Sequence, residues 1–404
     1  MIPETESVKF WYDRLDPLTR DAELTSEEQI RGTNRTAFNT VKCGMHDIFS
    51  YGRLHHDPEK ERMRIVKNLQ DAVKTLKLEE DRSGWKTAYE KNARNATAVN
   101  GPDGFFRGTA KNKTAVRSIP SETIPGEIKR NSGEDDSILR LAELEEGDPF
   151  IAFLFSEDRR YFWIHTTCTE GWIPVSDAGT YHSEEQWKAA MKENPGVLTP
   201  GNLLEVMFRN YGAPYKWGSG TDCSGYVRKV FEEFGILLPL NTALQPHYPA
   251  RSYDLKELPD DDKLKIIRAL PVGAALYMPH HTMLYLGELD GHVYVINPLY
   301  SFYDLDHRLQ TPARITVNTL DLLRSDGETW LTSLTTALVP WEEQTPASMH
   351  PRKRGIPVIL SGIHVRPDPQ AMSSHPCFRF SHKFRVQSSG SPDRSVLPYP
   401  GSPW

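Results

Sequence analysis

Apolar positions recur at two different periods along this chain of 404 residues, and the change of period divides it. In the first hundred residues the spacing is helical. Ile65, Leu69, Val73 and Leu76 fall on one face of a segment running from Pro58 to Leu78, and Asp21 to Ile30 has the same character. Phe10-Trp11-Tyr12 is an aromatic cluster suited to anchoring this segment against another domain. From residue 104 the pattern turns to short β-type runs: Thr114 to Arg117, Phe150 to Phe155, Tyr161 to His165 and Gly171 to Pro174. Turn signals such as Glu146-Gly147-Asp148-Pro149 separate them. Short strands so closely spaced predict a small β-barrel. Glu184 to Lys192 reads as a connecting helix.

After Pro200, helical patterns come first, over Leu203 to Tyr211, from Cys223 onward and over Asp260 to Leu270. Strand patterns follow, over Ala274 to Met278, His281 to Gly287, His292 to Asn297, Arg314 to Val317 and Trp330 to Leu338. That order predicts an α+β domain with helices packed on one side of an antiparallel sheet. Past residue 343 periodicity is lost, Pro and Ser become frequent, and Arg352-Lys353-Arg354 is basic, which predicts a disordered tail. The expected organisation is a helical segment over 1–103, a β-barrel over 104–178, a linker over 179–199, an α+β domain over 200–343 and a basic Pro/Ser-rich tail over 344–404.

Composition narrows the chemistry. The net charge of -6 leaves no broad basic footprint and argues against a nucleic-acid partner. No apolar run reaches membrane-spanning length, and the start of the chain has no basic and apolar regions of a signal peptide, so the compartment stays open. Oligomeric state is equally open. The four cysteines, Cys43, Cys168, Cys223 and Cys377, are too scattered for a metal pair or a disulfide framework, which fits a single reactive thiol and no cofactor. Asn34-Arg35-Thr36, Asn95-Ala96-Thr97 and Asn112-Lys113-Thr114 match the glycosylation triplet, a pattern that chance often produces.

The most informative stretch is Trp217-Gly218-Ser219-Gly220-Thr221-Asp222-Cys223-Ser224-Gly225-Tyr226, a glycine-rich turn feeding a helix. Val227, Val230, Phe231 and Phe234 give that helix one apolar face, and Gly235 stops it. Thr221 or Asp222 is the N-cap. A thiol at a helix start meets unpaired N–H groups and the positive end of the dipole, which favour the thiolate. Taken alone, Cys223 reads slightly better as a small buried core residue in the first turn of the helix. A nucleophilic thiol needs a base and a third group to orient it. His281, heading its strand, is the best base, with His280 directed to the opposite face. Asp290-Gly291 marks the hairpin. A two-residue loop there puts Asn297 on the wrong face. A three-residue loop, Leu289 to Gly291, pairs Glu288 with His292 and brings His281 and Asn297 to one face, where Asn297 can set the imidazole tautomer.

Four blocks in order, Tyr215-Lys216-Trp217-Gly218, Asp222-Cys223-Ser224-Gly225, Leu238-Pro239-Leu240-Asn241-Thr242-Ala243-Leu244-Gln245 and His281-Thr282-Met283-Leu284-Tyr285-Leu286-Gly287, resemble the NlpC-type cysteine peptidases over residues 200–340. The barrel, and the N-terminal segment with Asp16-Pro17, look like the subgroup with an N-terminal clip and bacterial SH3-like domains. The resemblance implies a papain-like fold and cleavage of peptidoglycan stem peptides between D-γ-glutamate and a diamino acid. It implies Cys223 as nucleophile, His281 as base and Asn297 in the orienting position. It further implies Tyr215 beside the oxyanion, and Asp222 with Ser224 holding the amine of a leading L-alanine. The chain departs from that subgroup in having one barrel where two are usual, no aromatic at Cys168-Thr169-Glu170, and Leu240 in place of an arginine. Two other readings compete: a catalytically inactive protein that only holds wall peptides, and an acyltransferase on the same fold.

Overall fold

The computed structural model describes residues 3–53, 58–75, 84–101, 104–122, 139–191 and 195–342. The chain divides into one unit of residues 1–344 with 398–404, and a second over 345–397 that lies outside the described residues, as does the expected disordered tail.

Within the first unit two antiparallel sheets carry the architecture. The sheet of the C-terminal half runs, in spatial order, Arg314–Thr319, His292–Leu299, His281–Leu289, Ala275–Met278, Thr336–Val339 and Arg251–Asp254. Helix Cys223–Glu232 packs on the two strands that begin at His281 and His292. Its expected apolar face is buried: Val227, Val230, Phe231 and Phe234 join Leu276, Leu284 and Ile296 in one core. The α+β expectation for this half therefore matches the observed layers. One element differs. Where Trp330 to Leu338 reads as a strand, Trp330–Ser333 is a short helix capped by Thr329, whose hydroxyl accepts from the Thr332 N–H, and only Thr336–Val339 is strand.

The second sheet has eight strands. Its order is Arg140–Leu144, Thr114–Arg117, Glu170–Pro174, Tyr161–His165, Pro149–Phe155, Phe106–Ala110 and Ala178–Tyr181, with Thr97–Ala98 paired on Pro149–Phe155. Alternate residues go to two cores, as the two-residue period of a strand requires. Phe150, Ala152, Phe162, Ile164 and Ile173 meet Val116 and Ala142, so the sheet coils around its own side chains. Ile151, Phe153, Trp163 and Trp172 face Ile65, Leu69 and Ala72 of helix Pro58–Thr75, together with Trp187. Burial of both faces explains why these strands read as unbroken apolar runs.

The segment read as a linker contributes to this sheet. Ala178–Tyr181 pairs with Phe106–Ala110, and Trp187, on helix Glu184–Ala190, donates its indole N–H to the Gly108 carbonyl at 2.7 Å. The N-terminal segment likewise belongs to the cores it touches. Helix Glu27–Asn39 starts later than the apolar spacing suggests, because Ser26 and Gln29 form a capping box there. Asn34 of the first glycosylation triplet is buried. It donates from Nδ2 to the Gly235 carbonyl at 2.8 Å, and its Oδ1 accepts from the Leu237 N–H at 3.0 Å and the Tyr248 hydroxyl at 2.8 Å. That amide is a tether across the domain, not a glycosylation acceptor. Trp11 is buried against Tyr294, ring centroids 5.5 Å apart, and donates to the Thr5 carbonyl at 2.8 Å.

The histidine hairpin corrects the expected register in its route but not in its end point. Leu289 pairs with His292, so the loop is Asp290-Gly291 alone, with positive φ at both positions (52° and 85°). This is the tight hairpin turn that matches strand twist. By itself it would put Asn297 on the face away from His281. A bulge between Tyr285 and Gly287 removes one residue from the register, so that Leu284 pairs with Ile296, and the two side chains return to one face. Gly287 at the bulge has φ of 149°, and a Cβ there would sit 3.0 Å from the Trp11 ring.

Two substitutions test these supports. Gly287→Ala is expected to lower unfolding free energy by about 1–3 kcal/mol, the range for a residue forced into a sparsely populated conformation, as read by urea denaturation. Asn34→Ala removes three buried hydrogen bonds and is expected to cost roughly 2–4 kcal/mol in the same measurement.

Candidate active site

The turn before the cysteine helix is organised by one carboxylate. Asp222 is the N-cap. Its Oδ1 accepts from the Gly225 N–H and its Oδ2 from the Gly218 N–H, each at 2.7 Å. Of the two cap candidates the structure uses Asp222, while Thr221 donates its N–H to Ser219 Oγ at 3.1 Å. Gly218 has φ of 66°, and a Cβ there would lie 2.6 Å from the Arg140 carbonyl oxygen. The coiled sheet therefore packs directly on the turn that presents the cysteine, at a position only glycine can fill.

Cys223 is buried at the first position of the helix. Backbone N–H groups of Ser224, Thr282 and Cys223 itself point at its sulfur. Thr282 is the residue after His281, so the head of the histidine strand reaches the mouth of the helix. These donors favour the thiolate, as the sequence suggests, but they lose. Burial pushes the Cys223 thiol up to about 12, and the neighbouring Asp222 carboxylate adds to the rise. Burial also raises Asp222, against its two N–H bonds. His281 moves the other way. Burial brings it down to about 4, opposed by its bond to Asn297 and helped by the charge of Arg324. The expected resting thiolate is thus corrected: thiol and imidazole are both neutral at pH 7, because desolvation penalises each charged form.

His281 follows a two-residue turn, Pro279-His280, that pairs Met278 with His281. His280 is exposed in that turn at φ of 67°, not on the opposite strand face as expected. The His281 Nε2 lies 2.9 Å from Asn297 Oδ1, and the Trp330 ring meets the imidazole edge to face at 5.1 Å. Asn297 is fully buried and donates from Nδ2 to Asn318 Oδ1 at 2.8 Å. Sequence reasoning finds neither Trp330 nor Asn318. Thr316 and Asn318 alternate with the buried Ile315 and Val317, which reads as an ordinary solvent face, yet both polar residues are buried too.

The remaining expected site residues are placed as follows. Tyr215 is half-buried, donates its backbone N–H to the Ala313 carbonyl at 2.8 Å, and sets its ring against Tyr300 at 5.7 Å. Ser224 Oγ lies 3.4 Å from Asp222 Oδ1. Asp222 has both oxygens committed to backbone N–H groups, so its observed work is to hold the helix start. Farther along the same helix, Lys229 pairs with Asp148 at 3.0 Å, and Arg228 donates to the Cys168 sulfur at 3.3 Å. These bonds join the helix to the coiled sheet across a cleft of about 510 Å³ that Cys223 and His281 do not line. Among the described residues no group of three or more His, Cys, Asp or Glu could hold a metal ion, and no helix is long and apolar enough to cross a membrane.

Residues 212–292 match the model of the NlpC/P60 family. No curated protein matches the chain. Among solved structures the chain is similar to an NlpC/P60 endopeptidase from Photobacterium damselae subsp. piscicida, at 16% identity and a TM-score of 0.63, over 83% of this chain and 97% of that one. It is also similar, at 16% identity and a TM-score of 0.26, to an NlpC/P60 family protein from Bacillus cereus ATCC 10987, over 59% of this chain and 64% of that one. The first likeness shows the fold, and the matched stretch contains both Cys223 and His281. Residues 212–292 thus match an NlpC/P60 domain, on a fold similar to that of an NlpC/P60 endopeptidase.

Proposed function

We propose that this chain is a cysteine endopeptidase that hydrolyses peptidoglycan stem peptides at the bond between γ-D-glutamate and a diamino acid. Cys223, His281 and Asn297 form its triad. One observation carries the reading: His281 is held by Asn297 at 2.9 Å on a strand whose next residue turns its N–H to the Cys223 sulfur. Starting from the neutral pair, sulfur attacks the amide carbonyl as its proton passes to the imidazole. Backbone N–H at the helix start, with Tyr215, receives the developing oxyanion. The imidazolium then protonates the leaving amine, and water releases the acyl group from Cys223. In this reading Ser224, with Asp222 behind it, meets the amine of a leading L-alanine. The coiled sheet, read as the SH3-like domain, forms a wall of the groove through its contact at Gly218.

The neutral resting pair also favours a second reading, an inactive protein that only binds wall peptides, because a thiol raised to about 12 is a poor nucleophile until a base takes its proton.

Incubation with L-Ala-γ-D-Glu-diaminopimelate separates the two. The peptidase reading expects release of the diamino acid by the wild type, none by Cys223→Ala, and about a hundredfold lower kcat in Asn297→Ala, the scale of an acid–base contribution. Intact peptide that binds without cleavage would establish the binding reading. Cleavage by Cys223→Ala at the wild-type rate would remove Cys223 from the chemistry.

The depressed imidazole has a consequence for stability. Between pH 6.5 and about 4 the unfolded chain binds a proton at His281 that the folded chain refuses. Stability is therefore full above pH 6.5 and falls as pH drops toward 4, by roughly 3 kcal/mol from this group. Urea unfolding at pH 7 and pH 4 is expected to show the loss, and in His281→Gln the loss is expected to shrink by about that amount.

A further inference from the structure

We infer that Asn318 is a positioning residue: it sets the direction of a buried hydrogen-bond chain and thereby fixes Nδ1 as the His281 nitrogen that serves as base. The assignment rests on the peptidase reading only for what that nitrogen is used for.

The chain of bonds has one end whose polarity is not open to choice. Asn318 Nδ2 lies 3.3 Å from the Thr319 carbonyl oxygen, which can only accept. The amide of Asn318 must therefore turn its NH₂ to Thr319 and its oxygen inward. That oxygen accepts from Asn297 Nδ2 at 2.8 Å and from Thr316 Oγ1 at 3.4 Å. The flipped orientation would set two acceptors together at Thr319 and two NH₂ groups together at Asn297. With its NH₂ so committed, Asn297 presents Oδ1 to His281 Nε2, which must carry the hydrogen. A neutral imidazole has one N–H, so Nδ1 keeps its lone pair.

Burial makes the relay binding on its members. Asn297 is 0% and Asn318 1% exposed, so water cannot stand in for a lost partner. Register places them. Asn297 pairs with Thr316, which leaves Asn318 diagonally across on the same face, within reach of the next amide. Without Asn318, either end of the Asn297 amide can face the imidazole, and both tautomers become available.

The test reads the tautomer, which a merely structural role would not move. In long-range ¹H–¹⁵N spectra of histidine-labelled protein at pH 7, His281 is assigned by the signals lost in His281→Gln. The wild type is expected to show the Nε2–H form. In Asn318→Leu and Asn318→Ala the excess of that form is expected to fall by about fivefold, the factor one net hydrogen bond is worth. Asn318→Asp, kept protonated by burial so that its hydroxyl donates to the Thr319 carbonyl while its other oxygen accepts from Asn297, is expected to restore the wild-type spectrum. A wild-type ring protonated at Nδ1, or an unchanged ratio in a folded Leu or Ala variant, would overturn the assignment. Failure of the wild type to cleave peptide while the tautomer pattern holds would overturn the peptidase reading alone.

Discussion

The register between two neighbouring strands is the constraint on which the site rests. His281 and Asn297 belong to the two arms of one hairpin, and the side-chain period of two means that a slip of one residue parts them. The turn alone gives the wrong parity. The bulge between Tyr285 and Gly287 gives the right one, and Trp11, packed within 3.0 Å of where a side chain on Gly287 would begin, closes the space around it. A tryptophan near the start of the chain thus lies against the same irregularity that brings a histidine and an asparagine together.

Burial then decides the electrostatics. A helix start and three N–H groups pull the thiol toward ionisation, and exclusion of water outweighs them. The competition follows from magnitudes. Each oriented N–H or dipole contributes on the order of 1 kcal/mol, whereas removing a charge from water costs several. The same exclusion keeps His281 uncharged, which is the form a base needs. What the site loses in thiolate it gains in a proton acceptor that is available throughout the neutral range.

Much of this was legible in the sequence, and the part that was not has definite physical causes. The cysteine helix, its buried face and the histidine strand follow from periodicity, because burial selects apolar residues at fixed spacing. A cap at Thr221 or Asp222 follows from position before a helix, and the fold uses Asp222. The bulge does not follow: Leu286-Gly287 carries no signal that distinguishes an irregular strand from a regular one. Trp330 reads as strand because its neighbours are apolar, and only the cap at Thr329 makes it helical. Asn318 hides for a different reason. Polar residues alternating with apolar ones signify solvent unless both faces are covered, and coverage is a property of the whole sheet. The thiol's protonation state does not follow either, because local donors are visible in a sequence and depth of burial is not.

The polar relay and the bulge are two halves of one solution. A buried histidine that must act as a base needs its ring fixed and its proton on the far nitrogen. Distance alone supplies the first, and the strand register provides it. The second requires a donor–acceptor order, and order in a run of amides is ambiguous until it reaches a group with a single role. The backbone carbonyl of Thr319 is such a group, and it lies on the strand beyond Asn297, where the sheet is already paired. The direction of the proton transfer we propose at the thiol is in this way tied to the main chain of the sheet, through two buried amides.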